Sequence, residues 1–248
     1  MNPPESAVIL MTRIKLCVFL LAALLPCAGQ SADQVVEKCL EARGGREKLK
    51  SVQTERLAGN ISFGTNPPGP FVVEFKRPHK MRMAIATPDG TLIRVYDGQS
   101  GWLKLPGGEE ARAMSPGEVT NISRGADFDG PFLGAAAKGN KIELAGRLAV
   151  EGKDTFKLKV TMNDGTVDYY YIDARTYLPV MWEGERTANG SSVVYVSWFR
   201  EYKKVDGITF PWVIESATKG GKPGDGQRIT TDKIELNVPE DDGRFVKP

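Results

Sequence analysis

The sequence predicts a β-rich α+β fold, and three observations predict it. From Gln53 onward apolar residues recur at every second position, in about eleven or twelve successive segments. The links between these segments are short and carry turn chemistry, as in PDGT, YDGQSG, NDGT, TANGS and VDGI. No helical pattern recurs between them. Short links make sequence neighbours antiparallel, and the missing helices exclude a doubly wound α/β sheet.

The chain of 248 residues starts with a targeting signal. Met11 opens MTRIKLCVFLLAALLPCAGQ, in which Arg13 and Lys15 precede an apolar run from Leu16 to Leu25, and small residues surround Cys27, Ala28 and Gly29. The run falls short of the roughly 18 apolar residues that a membrane-spanning helix needs. Export to the periplasm with removal of residues 1–29 is therefore expected. A lipid anchor on Cys27 is the alternative, weakened by Pro26 where a small residue normally stands.

Residues 30–248 then read as a single domain. The chain has 33 Lys and Arg against 31 Asp and Glu, and removing residues 1–29 takes away Arg13, Lys15 and Glu5, leaving it nearly neutral. No basic field invites nucleic acid. Of the three cysteines only Cys39 survives cleavage, so no intramolecular disulfide is possible. It lies at helical spacing with Val35, Val36 and Leu40 and reads as a small buried hydrophobe.

The first element is an amphipathic helix, DQVVEKCLEARGG, with Asp33 as N-cap and Gly44 and Gly45 as its stop. REKLKSV adds a turn or two. Strands are expected at 54–63, 71–77, 80–87, 92–96 and 101–105, then at 141–150, 155–162, 167–173, 178–186, 192–202, 208–218 and 228–238. Between the two sets, Ser115 and Glu118 form a capping box around Pro116, and Val119 and Ile122 share a face of the helix that follows. A Gly-rich stretch with Phe128, Phe132 and Leu133 comes next. This insert, about 115–137, either plugs the sheet or simply connects its halves.

Catalytic chemistry is sparse. The one histidine, His79, sits by a turn and reads as solvated; a Ser-His-Asp site would need it, and zinc sites built on thiolate and imidazole are excluded. Asp127 with Asp129, or Glu183 with Glu185, could be proposed as acid and base, yet no motif supports either pair. Phosphate-cradling and nucleophile-elbow motifs are absent. The reading is a non-enzyme without cofactor or metal, with a carboxylate-dependent hydrolase as a remote alternative.

Several strands are apolar on both faces. In YYYIDARTYLPVMW, Tyr169 and Tyr171 share one side while Tyr170 and Ile172 share the other; Leu178, Val180 and Trp182 form another row. Ile208, Phe210, Trp212 and Ile214 are a wholly apolar row. Phe71, Val73 and Phe75, then Met81, Met83 and Ile85, then Phe156, Leu158 and Val160 add more. Such a sheet either closes on a packed interior or curls around a hollow that holds an apolar ligand. Met81, Met83, Met162 and Met181 suit a cavity whose guest varies in shape. The expected phase has Tyr169 and Tyr171 facing the concave side; the opposite phase is the alternative.

FVVEFKRPHKMRM, DGTLIRVYDGQSGW and the terminal ELNVPEDDGRFVKP, with DGPFLGAAAKGNKIELAGRLAVEG between them, resemble the bacterial outer-membrane lipoprotein-sorting proteins of the LolA/LolB/LppX-like superfamily, from about Asp33 to Pro248. The resemblance implies a strongly curved, unclosed antiparallel β-barrel with an N-terminal helix, and a helical lid between two sets of strands. It also implies an apolar cavity for acyl chains, with Val119, Ile122, Phe128, Phe132 and Leu133 in the lid. Arg77 or Arg82 would hold that lid closed. The expected function is a periplasmic, monomeric carrier of lipid or lipoprotein acyl chains, served by an inner-membrane donor or an outer-membrane acceptor protein. A lipid-sensing or protein-interaction domain of the same fold is the alternative.

Overall fold

Ser31, rather than Asp33, starts the first helix. Its hydroxyl accepts a hydrogen bond from the Gln34 backbone N–H at 3.2 Å, and Gln34 Oε1 accepts one from the Ser31 N–H at 2.9 Å. Both are orphan donors of a helix start. The computed structural model describes residues 30–188 and 191–248, so the expected signal peptide and Cys27 lie outside the described residues. Helix α1 (Ala32–Arg43) buries Val35, Val36, Cys39 and Leu40. It ends at Gly44, where φ is 132° and a Cβ atom would lie 2.6 Å from the Gly207 carbonyl oxygen. Only glycine tolerates that angle and that approach. The short helix α2 (Arg46–Ser51) follows.

Strands β1 (Thr54–Phe63), β2 (Gly69–Lys76), β3 (Lys80–Thr87), β4 (Gly90–Tyr96), β5 (Gly101–Lys104) and β6 (Arg112–Ala113) form a meander. Helix α3 (Pro116–Ala126) interrupts it. A second meander comprises β7 (Lys141–Val150), β8 (Lys153–Thr161), β9 (Val167–Asp173), β10 (Pro179–Ala188), β11 (Ser191–Val205), β12 (Ile208–Thr218) and β13 (Gln227–Leu236). Pairing of β1 with β13 joins the two into one sheet of 13 strands, in the order β6-β5-β4-β3-β2-β1-β13-β12-β11-β10-β9-β8-β7. The strand beyond the expected set is β6, two residues long and too short for a period of two to show.

The sheet is open, since β6 and β7 end the order unpaired with each other, and it is strongly curled. Helix α3 touches both β3 and β10, which stand six positions apart in the order. Flat, those strands would lie about 29 Å apart at ~4.8 Å per strand, whereas an eleven-residue helix is only about 16 Å long. The sheet must bend around the helix for both contacts to form. Helix α1 likewise bridges β7 and β12.

Two apolar clusters fill this concave side. One gathers α1 and α2 against Phe156, Leu158, Val160, Ile172, Ile208, Phe210 and Ile234, with Phe132 and Leu133 from the segment after α3. The other gathers Ile61, Phe71, Val73, Met81, Ile85 and Tyr96 against Ile122 and Ala126 of α3. On the convex side a C-terminal 3-10 turn (Asp242–Phe245) docks by burying Phe245 completely. There Glu74, only 1% exposed, receives Arg244 at 2.5 Å, Arg82 at 3.5 Å and Arg56 at 3.8 Å. A buried carboxylate is tolerable only with such partners.

Candidate functional site

The insert between the meanders is built to lie on the concave face. Ser115 Oγ accepts from the Glu118 backbone N–H, Glu118 Oε2 accepts from the Ser115 N–H at 2.8 Å, and Pro116 occupies the first turn. Arg112 grips the same carboxylate at 2.7 and 2.9 Å. These contacts push the Glu118 pKa down to about 2, with the Arg112 hydrogen bonds the largest cause. Val119, Ile122 and Ala126 then face the cluster around Phe71 and Met81.

Beyond α3 the chain returns through a loop whose Phe132 and Leu133, 4% and 3% exposed, enter the other cluster. Phe128 lies against Phe75, with ring centroids 5.7 Å apart. The insert therefore fills the concave face with its own side chains instead of leaving it empty.

Its attachments are polar. Arg77, at the end of β2, makes a bidentate pair with Asp129 at 2.6 Å on each oxygen, and its remaining N–H groups donate to the Val52 and Leu49 carbonyls. The same guanidinium stacks over Phe128 at 4.9 Å. Within the insert, Lys138 holds both oxygens of Asp127 at 2.6 Å and ties the loop to itself. Arg124, near the end of α3, donates to Asp164 at 2.7 Å in the turn between β8 and β9. His79 Nε2 meets the Ser123 carbonyl oxygen at 2.6 Å and its ring edges onto Tyr96.

These contacts correct one expectation and bear on two alternatives left open. His79 is not a solvated turn residue, because it docks on the last turn of α3. Arg82 points to Glu74 on the convex side, so of the two arginines Arg77 alone meets the insert. Asp127 and Asp129 are each engaged by a cation, so neither is placed as a free acid or base. Glu183 is similarly paired with Lys219.

The tyrosine phase is also reversed. Tyr170 and Ile172 pack on the concave side, Tyr170 edge-to-face with Phe132 at 5.0 Å. Tyr169 and Tyr171 lie on the convex side with Val150, Val180 and Met181. What covers that second face is a lysine. Lys157 Nζ stands 4.1 Å from the Tyr169 ring centroid and 5.4 Å from that of Tyr171, a cation over two electron-rich rings. The registers show why alternation failed. Pro179 pairs with Ile172 and Met181 with Tyr171, so a bulge falls at Val180 and sends it to the convex side. Leu178 precedes the strand.

The other expected residues share the concave face. Phe71, Val73, Phe75, Met81, Met83 and Ile85 belong to the cluster that α3 joins, and Phe156, Leu158, Phe210 and Trp212 to the cluster that α1 and the loop join. Trp182 pairs across the ladder with Tyr170. Cations roof its margin: Arg186 over Trp182 at 4.4 Å, Lys203 over Trp212 at 4.3 Å, Arg147 over Phe156 at 4.7 Å. Arg186 also pairs with the fully buried Asp168 at 3.0 Å on both oxygens. Gly184 makes room for this arrangement, because a Cβ there would collide with the Asp168 carboxylate and the Trp182 ring. The indole N–H groups of Trp182 and Trp212 are buried without a partner among the described residues.

A curled, unclosed antiparallel sheet with helices inside the curl is shared with solved proteins. A LolA superfamily protein from Nitrosomonas europaea superposes with a TM-score of 0.59 at 16% identity, over 88% of this chain and 99% of that one. The fold is LolA-like. A DUF1329 family protein from Desulfovibrio piger matches with a TM-score of 0.59 at 16% identity, over 88% and 98% of the two chains. A putative outer membrane lipoprotein-sorting protein domain from Vibrio parahaemolyticus matches with a TM-score of 0.56 at 12% identity, over 85% and 97%. No protein-family model matches the sequence, and no curated protein sequence matches it.

Within this LolA-like sheet, sequence reasoning missed one titratable residue. Glu55 on β1 is only 8% exposed and points to the concave side, beside a cavity of about 10 Å³ lined with Arg43, Leu49, Val52, Phe128, Asp129, Ile208 and Phe210. Burial pushes its pKa up to about 7; Asp129 adds to the rise and Arg43 opposes it. The signal was a glutamate in phase with Leu57 and Ile61 on an apolar strand face. Among the described residues no group of three or more His, Cys, Asp and Glu could hold a metal ion, and no helix is long and apolar enough to cross a membrane.

Proposed function

We propose that the concave face binds acyl chains of lipids or lipoproteins and that the insert, from Ser115 to about Asn140, is its lid. One observation carries this reading. The insert covers an extended apolar face with a few apolar side chains of its own, and holds its place through ion pairs that water can replace. Displacing it would bare Phe75, Met81, Phe156, Phe210 and Trp212 to a ligand. Each methylene that takes their place contributes about 0.8 kcal/mol, so a lipid with long chains outcompetes Phe128, Phe132 and Leu133 even after ordering costs. The buried indole N–H groups of Trp182 and Trp212, unpaired among the described residues, are donors that an ester carbonyl could satisfy.

In this reading Arg77 and Asp129 form the latch. The chain works without cofactor or catalysis in the periplasm, taking cargo from an inner-membrane donor and passing it to an outer-membrane acceptor. The likeness to a solved domain described as a putative lipoprotein-sorting protein supports the cargo class.

Native mass spectrometry of protein from an envelope fraction tests the reading directly, and co-purifying lipid is the expected result. A fluorescent fatty acid should enter the Arg77→Ala variant several-fold faster than the parent. If no lipid co-purifies and the variant takes up probe at the parental rate, the carrier reading is wrong.

A further inference from the structure

Glu55 stands where the lid meets the body of the protein. Its carboxyl group shares a small cavity with Arg43 at the end of α1, with Asp129 and Phe128 of the lid, and with Phe210 and Ile208 of β12. The cavity, about 10 Å³, has room for roughly one water molecule. Asp129 in turn carries the Arg77 guanidinium at 2.6 Å, and two residues away Asp127 is held by Lys138. The elements that pack here therefore present two cations, Arg43 and Arg77, and the carboxylates Glu55, Asp129 and Asp127, with Lys138 behind Asp127. Apolar walls of Leu49, Val52, Phe128, Ile208 and Phe210 leave the carboxyl group little room for water while the lid is down.

We propose that Glu55 makes the lid respond to pH, the lid closing over its neutral form and loosening when its carboxyl group ionises against Asp129. The reason is local. A carboxylate in that cavity is largely stripped of water; Arg43 attracts it, but burial outweighs that attraction and Asp129 stands beside it as a second negative charge at the latch. Lifting the lid hydrates both. Closure raises the Glu55 pKa from its ordinary value of 4.5 to about 7, chiefly through burial. The closed state thus binds a proton that the open state releases. Closure is strongest below the ordinary carboxylate pKa, weakens as pH rises from there toward 7, and stays at its weakest above that.

The inference rests on the lid assigned above but needs no lipid, and its test uses lipid-free protein, so its failure would leave acyl-chain binding untouched. Spin labels at Ala137→Cys in the lid and Glu41→Cys on α1 occupy exposed positions, while Cys39, fully buried, stays unlabelled. Double electron–electron resonance should show a longer distance whose population, relative to the short one, rises on the order of 10- to 100-fold between pH 5 and pH 8. Glu55→Gln should hold the short distance at both pH values. Independently of that variant folding, the Glu55 carboxyl carbon should titrate well above 5 by NMR in the parent protein. A distance distribution indifferent to pH, a shift that survives in Glu55→Gln, or a Glu55 midpoint below 5 would each overturn the proposal.

Discussion

Helices α1 and α3 cover the same curled sheet and are held to it by different physics. Helix α1 sinks Val35, Cys39 and Leu40 to 0% exposure, so most of its grip is apolar area removed from water. Helix α3 buries only Ile122 and Ala126, and relies on Arg124, Arg112 and the His79 contact at its edges, with Arg77 holding the loop beyond. Apolar burial is non-directional and fails only when the core fails. Ion pairs at a margin can exchange their partners for water while the apolar core stays intact. One helix is built as part of the core, the other as a part that can leave it.

The difference can be broken experimentally, starting with α1. Leu40→Ala removes a side chain with no exposed surface from the larger cluster and should cost about 2–5 kcal/mol. Urea titration should show a lower midpoint for the whole domain, because α1 packs against strands as distant in the sheet as β7 and β12 and cannot leave without unfolding them. A transition confined to α1 would mean that the helix is not integral to the core.

Arg77→Ala should do less and do it locally. It strips Asp129 of a bidentate partner in a pair whose side chains are 23% and 18% exposed, worth about 1–3 kcal/mol. Amide exchange over residues 127–140 should accelerate by roughly 5- to 100-fold, with the α1 amides unchanged. Equal acceleration in α1 would show that lid and core open together, and the contrast between the helices would collapse.

The contrast itself was only half legible in the sequence. Helix α3 announced itself through Ser115, Pro116 and Glu118, because a capping box is a local signal that no tertiary contact overrides. The strands were legible for the same reason, their turns being written in Gly, Asn and Asp. What holds the insert down could not be read. The partner of Arg77 lies 52 residues away at Asp129, and that of Arg124 lies 40 away at Asp164. No spacing rule links them. The row Leu178, Val180 and Trp182 was lost because a single bulged residue, Val180, shifts the register of β10 against β9, and the tyrosine phase because a strand apolar on both faces does not say which one is concave. Glu55 was passed over because thirty-odd carboxylates look alike until one is found facing Asp129 inside an apolar wall.

The smallest effect is expected at the start of α3, where the capping box meets Arg112. Glu118 is 38% exposed, so its ion pair is largely screened and its loss is worth roughly 0.2–1 kcal/mol. Glu118→Gln keeps an acceptor for the Ser115 N–H but discards the charge that Arg112 holds. Because the folded carboxyl titrates near 2, below its ordinary 4.5, the charge stabilises the helix fully above the ordinary value, and this is lost as pH falls through about 2. Parent and variant should therefore differ slightly in amide exchange over α3 at neutral pH, and the gap should close on acidification. An effect as large as that of Arg77→Ala would mean that both ends of the insert are held equally hard, and Arg77 with Asp129 would no longer stand out as the latch.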